Sequence, residues 1–273
     1  MDSSDSLLSF PIEIASGIYW LGYAADNLGL HCNPYLILEG DEAVLIDGGS
    51  RDDFSNVMLK ILRLGIKPSQ ITRLIYHHYD PDLCGSLPQL EAIIKTPELR
   101  IISQMENNIF IQYYSKKTPK LDYRTLNSEF VFQTGRRLTF HATPFCHSPG
   151  SFITYDEKTK TLFSSDLFGS SDAFWSLYLE LTDRCETCKR LKICPETGKK
   201  CPLYGIEQFH QRVMTSNLAL HRALDTIESL EIDRIAPQHG SIICSPEDAQ
   251  RVIRHLRRIE QVGIDHLVAE KQV

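Results

Sequence analysis

The sequence predicts a layered α/β fold, in which β-strands form sheets and helices pack on their flanks. Two observations favour this class. Short apolar runs rich in β-branched and aromatic residues alternate with amphipathic helical segments, and Gly, Pro, Asn and Asp punctuate them. The composition, 42% hydrophobic and 23% charged over 273 residues, is that of an ordinary globular protein.

The first half of the chain contains mainly strand patterns. We predict strands in IASGIYWLGY, NPYLILEG and EAVLIDGG, followed by a helix in DFSNVMLKILRLG that stops at Gly65. A buried strand in TRLIYHH and a helix in SLPQLEAIIK come next. A second series of strands is predicted in LRIIS, RLTFHATP, GSFITYD and TLFSSD.

The C-terminal third predicts two helices with the strand DRIAPQHG between them. The first helix is expected to run continuously from about Gly205 to Leu230. The second begins at SPEDAQ, where Ser245 is a suitable N-cap and Pro246 suits the first turn.

The bulk properties exclude two classes of partner. The net charge of −6 argues against a nucleic-acid-binding surface. No apolar run approaches the roughly 20 residues that span a membrane. The segment MDSSDSLLSFPIEI has neither the basic start nor the apolar run of a secretory signal. We therefore expect a cytoplasmic protein with no nucleic-acid or membrane partner.

The domain organisation is predicted to be simple. No Pro-, Gly- or Ser-rich linker divides the sequence, so we expect one domain over residues 1–273. The segment RCETCKRLKICPETGKKCPLYG differs from its surroundings because it is polar, basic and rich in cysteine. We interpret it as a metal-binding insertion at about residues 183–204.

Side chains that can bind metals follow several predicted strands. His78, Asp80 and Asp82 come directly after TRLIYHH. Three further candidates end later strands: His147, Asp166 and His239. Residues in such positions tend to converge at one edge of a sheet. Three imidazoles and three carboxylates exceed the needs of one zinc ion with an open position and suit two metals that share a bridge.

These motifs resemble the metallo-β-lactamase fold, and more narrowly its iron-binding branch: the di-iron domain of flavodiiron proteins and the oxygen-binding di-iron proteins. The resemblance lies in the order HxDxD, HSPGS, SSDLFG and PQHG, with the opening GIYWLG, NPYLI and VLIDGG, and extends over roughly residues 10–260. It implies a four-layer αββα sandwich, a di-iron centre and a homodimer.

The resemblance also implies a role for each of the six candidates. The ligands of one iron would be His78, Asp80 and His147. Those of the other would be Asp82 and His239, with Asp166 as the bridge.

Two positions depart from the family pattern HxExDH. Asp80 stands where the family has Glu, and Leu83 stands where it has the last histidine. Hydrolytic members of the fold carry histidine at the position of Asp80. Three carboxylates make a hard, anionic set that favours iron over zinc. We expect the gap at Leu83 to leave coordination positions where dioxygen or nitric oxide binds.

Four of the eight cysteines share the spacing C-x2-C-x5-C-x6-C: Cys185, Cys188, Cys194 and Cys201. Such spacing in a reducing compartment indicates metal. Zinc is the simpler alternative. We favour a 4Fe–4S cluster, because only the first two cysteines form a close pair and the last two each precede proline, as in ferredoxins. No flavodoxin-like domain is expected in this chain, so the cluster would relay electrons to the irons from a donor that the sequence does not identify.

Other polar residues receive simpler interpretations. His31 and the aromatic residues Phe174, Trp175 and Tyr178 are candidate pocket walls beside the metals. His77 points opposite to His78 on a strand, so we expect it in the core.

Asp47 is expected to orient loops through hydrogen bonds. The scattered cysteines, expected to be small buried hydrophobes, are Cys32, Cys84, Cys146 and Cys244.

Three functions remain open at this point. The favoured one is a di-iron protein that binds dioxygen or nitric oxide and reduces it. The second is a sensor that holds the gas without turnover. The third is a binuclear metallohydrolase for phosphodiesters or thioesters, in which a metal-activated water is the nucleophile.

Overall fold

A computed structural model of the chain describes residues 8–23, 31–171, 175–188 and 192–266. These residues fall into two compact units. The first comprises 8–23, 31–141 and 154–159, and the second comprises 142–153, 160–171, 175–188 and 192–266. Within the described residues, no helix combines the length and the apolar character needed to cross a membrane.

The first unit contains a sheet of seven strands. They are β1 (Ile12–Ala15), β2 (Ile18–Trp20), β3 (Tyr35–Glu39), β4 (Glu42–Ile46), β5 (Ile71–Ile75), β6 (Arg100–Ser103) and β7 (Lys120–Asp122). Their order in the sheet is the order of the chain. The pairs from β1 to β4 are antiparallel, and those from β4 to β7 are parallel.

Helices connect the parallel strands, as the crossover geometry of such strands requires. They are α1 (Phe54–Arg63), α2 (Pro81–Cys84), α3 (Leu87–Ile94) and α4 (Met105–Ile111). The predicted strands and helices of this part of the chain are therefore confirmed.

The core of the first unit lies between this sheet and its helices. Leu45, Leu74 and Ile101 stand side by side on three neighbouring parallel strands. They are fully buried in one cluster with Ile61 of α1 and Leu90 of α3. Burying each such side chain contributes about 2 kcal/mol of hydrophobic stabilisation. This packing holds the sheet in place as far as the carboxyl end of β5. His78 follows three residues after that strand ends.

A second sheet contains the other five strands: β8 (Glu129–Val131), β9 (Arg137–Ala142), β10 (Phe152–Asp156), β11 (Thr161–Phe163) and β12 (Arg234–Ala236). In the first unit β8 and β9 pair antiparallel, with Phe130 opposite Leu138. In the second unit β11 and β12 pair in parallel, with Leu162 opposite Ile235.

The helices of the second unit are α5 (Pro202–Val213), α6 (Asn217–Ile227) and α7 (Pro246–Leu256). The prediction of one continuous helix from about Gly205 to Leu230 is wrong. The chain becomes extended at Met214 and Ser216, and the Ser216 side chain accepts a hydrogen bond from the Ala219 N–H, so it caps a new helix. The predicted cap at Ser245 is confirmed, because its hydroxyl accepts from the Asp248 N–H.

Candidate metal centre

In the first unit, His78, Asp80 and Asp82 form a group of potential ligands. Each offers one atom, and the three atoms lie within 4.8 Å of one another. His78 is buried, whereas the two carboxylates are partly exposed. Asp80 is the N-cap residue of α2, and its carbonyl accepts hydrogen bonds from the N–H groups of Leu83 and Cys84. The short helix therefore sets the spacing between Asp80 and Asp82.

Hydrogen bonds of Asp47 and His77 hold the backbone that precedes this group. The Asp47 N–H donates to the Ile75 carbonyl, so the end of β4 is tied to the end of β5. Asp47 in turn accepts from the His77 backbone N–H (3.0 Å) and contacts His77 Nδ1 (2.6 Å). Thr154 Oγ1 lies 2.9 Å from His77 Nε2. The predicted core position of His77 and the loop-orienting role of Asp47 are both confirmed.

Leu83 follows Asp82 but contributes nothing polar. Its side chain is fully buried in the apolar core of the first unit. The residue at the position of the family's last histidine therefore packs in the core and offers no ligand atom.

In the second unit, one carboxylate contacts two histidines. His147 Nε2 lies 3.0 Å from Asp166 Oδ2, and His239 Nε2 lies 3.5 Å from Asp166 Oδ1. Asp166 and His239 are buried, and His147 is partly exposed. Each carboxylate oxygen therefore faces a different imidazole.

The turn that carries Asp166 is braced by a buried histidine on α5. The Phe168 N–H donates to His210 Nε2 (3.0 Å), and His210 Nδ1 donates to the Ile206 carbonyl (2.7 Å). Burial lowers the pKa of His210 to about 4, which keeps the ring neutral and its Nε2 able to accept. No sequence pattern indicates this contact, because it joins residues 42 positions apart in the chain.

Backbone turns position the two histidines. Around His147, the Phe145 N–H donates to the Ser148 carbonyl, and the Ser148 N–H donates to Ser151 Oγ. After His239, Gly240 adopts φ +84°, and a Cβ at this position would lie 2.8 Å from the Cβ of Ser170. Only glycine combines that dihedral with that close approach.

The two groups offer the same kinds of donor atom. Each combines imidazole nitrogen with carboxylate oxygen, a set that non-haem iron binds. Asp166 has one imidazole beside each of its two carboxylate oxygens.

The four clustered cysteines do not form a comparable group. Among the described residues, no set of three or more ligand atoms within 4.8 Å of one another includes any of them. Residues 189–191 of this segment lie outside the described residues.

Individual cysteines of the segment nevertheless receive hydrogen bonds at sulfur. The Thr197 hydroxyl, then the N–H groups of Thr197 and Glu196, lower the pKa of Cys194. Burial raises the pKa of Cys201, and the N–H groups of Tyr204 and Leu203 oppose that effect.

The candidate pocket residues show mixed environments. His31 is buried, Trp175 is partly buried and the Tyr178 side chain is exposed. Tyr178 pairs through its backbone with Ile242. Phe174 lies outside the described residues. The pocket role of these residues stays a prediction.

The expectation for the scattered cysteines is half right. Cys84 and Cys146 are buried as expected. Cys244 is exposed, and Cys32 is only partly buried, with its sulfur 3.8 Å from Asp82 Oδ2. A lone cysteine carries no sequence signal of such a contact.

The mixed α/β fold with two sheets, and histidine–carboxylate groups at strand ends, define a protein of the metallo-β-lactamase type. The chain belongs to the family described as ODP family beta lactamase, which it matches over residues 30–240. The predicted fold class and the resemblance to the di-iron branch are confirmed; the cysteine-rich insertion stays a prediction.

Flavodiiron proteins are among its relatives. Flavo-diiron protein FprA2 of Clostridium acetobutylicum is 26% identical over 224 residues, which cover 79% of this chain and 50% of that protein. This chain spans about half the length of the curated relatives it matches.

Many solved structures share the fold, including the following two. That of the peroxy di-iron species of the chemotaxis sensor ODP aligns with a TM-score of 0.72 at 24% identity, covering 95% of this chain and 99% of that chain. Rubredoxin oxygen:oxidoreductase from Desulfovibrio gigas aligns with a TM-score of 0.73 at 20% identity, covering 90% and 60%.

Proposed function

We propose that this protein holds two irons and binds dioxygen, which it reduces, with nitric oxide as the alternative gas. The observation that carries the proposal is the buried Asp166 carboxylate, whose two oxygens face His147 and His239. The relatives named as flavodiiron protein, oxygen oxidoreductase and di-iron chemotaxis sensor support the choice of metal and gas.

In this proposal the six residues divide between two irons as the family resemblance implies. The residues that would hold one iron are His78, Asp80 and His147. Asp82 and His239 would hold the other, and Asp166 would be shared between them. Bound iron would supply the redox chemistry and the open positions for the gas. The chain positions the segments that carry the ligands: Asp47 and His77 support the His78 segment, and His210 supports the Asp166 turn.

We propose further that the clustered cysteines bind a 4Fe–4S cluster that relays electrons, with structural zinc as the alternative. The support is the pattern of donors to sulfur. N–H and O–H groups directed at Cys194 lower its pKa and so stabilise the thiolate, which is the metal-binding form. At Cys201 the N–H groups of Tyr204 and Leu203 partly oppose the burial that raises its pKa. Metal would have to draw the four sulfurs together. A cytoplasmic location, an external electron donor and a homodimer complete the proposal.

A sensor is the second candidate, because one of the structures that share this fold is a chemotaxis sensor. The two functions differ in turnover. A reductase consumes dioxygen or nitric oxide steadily when supplied with reduced viologen, whereas a sensor forms a stable adduct and consumes no more than a stoichiometric amount.

The first test is metal and acid-labile sulfide content per chain, on protein expressed with iron and purified without oxygen. The full proposal expects about six irons and about four sulfides. About two irons without sulfide would retain the di-iron centre and replace the cluster with zinc. Zinc alone at the histidine–aspartate groups would overturn the proposal and direct attention to phosphodiester and thioester hydrolysis.

A pair of histidine variants localises the iron. His147→Gln should lose iron that is not associated with sulfide and should abolish gas binding. His141→Gln is the matched control, because His141 lies on β9 only six residues earlier and contacts Thr139 Oγ1 (2.9 Å) rather than a carboxylate. Equal iron in both variants would contradict the assigned ligands.

A further inference from the structure

Within the HxDxD motif, only Asp82 is proposed as a ligand of the second iron. The family motif has a histidine after this aspartate, and this chain has Leu83 there. Asp82 is followed by Leu83, whose side chain is fully buried among apolar residues of the first unit. Turning that side chain out would not provide a ligand, since leucine has no donor atom. Any further ligand on the side of Asp82 must come from another segment of the chain.

Within the first unit, the side chain of Cys32 lies beside Asp82. Its Sγ lies 3.8 Å from Asp82 Oδ2, although the two residues are 50 positions apart in the chain. Cys32 is only partly buried.

The segment around Cys32 is fixed by its neighbours. The indole N–H of the fully buried Trp20 donates to Asn33 Oδ1 (2.8 Å), and the Leu21 N–H donates to the Pro34 carbonyl (2.9 Å). Gly22 packs so closely that a Cβ there would lie 2.7 Å from the Cys32 carbonyl. The position of the Cys32 sulfur relative to Asp82 is therefore set by the folded chain.

The separation of the two atoms suits a shared ion. A thiolate and a carboxylate oxygen bound to one metal at about 2.3 Å and about 2.1 Å are roughly 3.1–3.6 Å apart, for angles between octahedral and tetrahedral. From the observed 3.8 Å, the two atoms need to approach by less than about 1 Å.

We propose that Cys32, as a thiolate, ligates the metal held by Asp82 and takes the place of the imidazole that is missing at position 83. The inference rests on the proposed di-iron function. On metal binding the thiol proton passes to solvent, and sulfur and carboxylate then face the same cation. One thiolate in an otherwise hard ligand set adds negative charge and a soft donor at one metal only, so the two metals become inequivalent.

The test compares three variants on protein loaded with iron, or with cobalt(II) as a spectroscopic probe, without oxygen. The clustered cysteines contribute the same thiolate-to-metal absorption in every variant, so the band compared is the part that depends on Cys32. Cys32→Ala should lose about one metal per chain and this part of the absorption. Cys32→His should restore the metal content, since an imidazole is supplied, but not this part of the absorption. Cys244→Ser removes an exposed thiol and should keep both. Circular dichroism and unfolding midpoints confirm that each variant is folded.

The outcomes separate this inference from the proposed function. Wild-type metal content and an unchanged band in Cys32→Ala would overturn the role of Cys32 and leave the di-iron proposal intact. Wild-type protein that binds no metal besides a sulfide-containing cluster would overturn the di-iron proposal itself, and the Cys32 inference with it. Wild-type protein with two metals but no Cys32-dependent band would also refute thiolate ligation.

Discussion

Asp47 and His77 form a buried pair in which His77 Nδ1 lies 2.6 Å from Asp47 Oδ2, while Asp47 Oδ1 accepts the His77 backbone N–H. Both side chains are almost completely inaccessible to solvent. The pair ties the end of β4 to the residue preceding His78. The geometry of the first group of ligands therefore depends on an interaction that contributes no ligand itself.

Replacing Asp47 should destabilise the first unit. Asp47→Asn keeps an acceptor and tolerates the left-handed φ of 49° at this position, but it removes the charge that faces His77. We expect a loss of about 2 kcal/mol in the free energy of unfolding, because buried hydrogen bonds to a charged group are weakened. Denaturant titration of the metal-free protein measures it. Asp41→Asn, at an exposed position in the β3–β4 turn, is the control and should change stability by less than about 0.5 kcal/mol.

A second buried pair, Arg136 and Asp156, leads to an independent prediction about the free energy of unfolding. Arg136 Nε and Nη2 each donate to Asp156 over 2.8 Å, and both side chains are buried. Arg136→Ala leaves the Asp156 carboxylate uncompensated and should cost about 3–5 kcal/mol. Arg136→Lys should recover little of the loss, since an ammonium cannot make the paired contact. Equal stability of the lysine variant and the wild type would show that charge alone suffices.

The free energy of unfolding should fall as the pH drops below neutrality. Burial lowers the pKa of His210 to about 4, from an ordinary value near 6.5. Between these values the unfolded chain binds a proton that the folded chain does not, so stability is lost as the pH falls from about 6.5 to about 4. The full loss is about 3 kcal/mol.

The control for this pH effect is His210→Gln. The variant should be less stable at neutral pH, because its side chain cannot make both hydrogen bonds of the ring in the same geometry. It should also show a shallower decline between pH 6.5 and 4. Denaturation midpoints across that range provide the comparison, and parallel curves for the two proteins would refute the assignment to His210.

Gly240 offers a test of backbone geometry next to His239. Gly240→Ala should destabilise the protein by about 1–3 kcal/mol and lower its iron content, because φ is +84° and the new Cβ would collide with Ser170. Gly135→Ala is the matched control: φ is +93° there, but no atom lies within 4 Å of the new Cβ. Similar losses of iron in both variants would mean that the collision with Ser170 is unimportant.

Much of the fold could be predicted from the sequence because its elements are locally encoded. The alternating apolar runs of β3 to β5 and the N-cap at Ser245 needed no tertiary information. The helical pattern from 205 to 230 was misleading, because the break at Ser216 depends on a single capping hydroxyl within an apolar periodicity that continues across it.

The sequence by itself determined the candidate ligands. His78, Asp80 and Asp82 are close in the chain, and their position after a strand and the order of the later motifs are local facts. The tertiary structure decided which neighbours support or complete them. The contacts of His210 with the Asp166 turn and of Cys32 with Asp82 join residues 42 and 50 positions apart. No periodicity or spacing encodes such pairs, since they arise only when packing brings distant segments together.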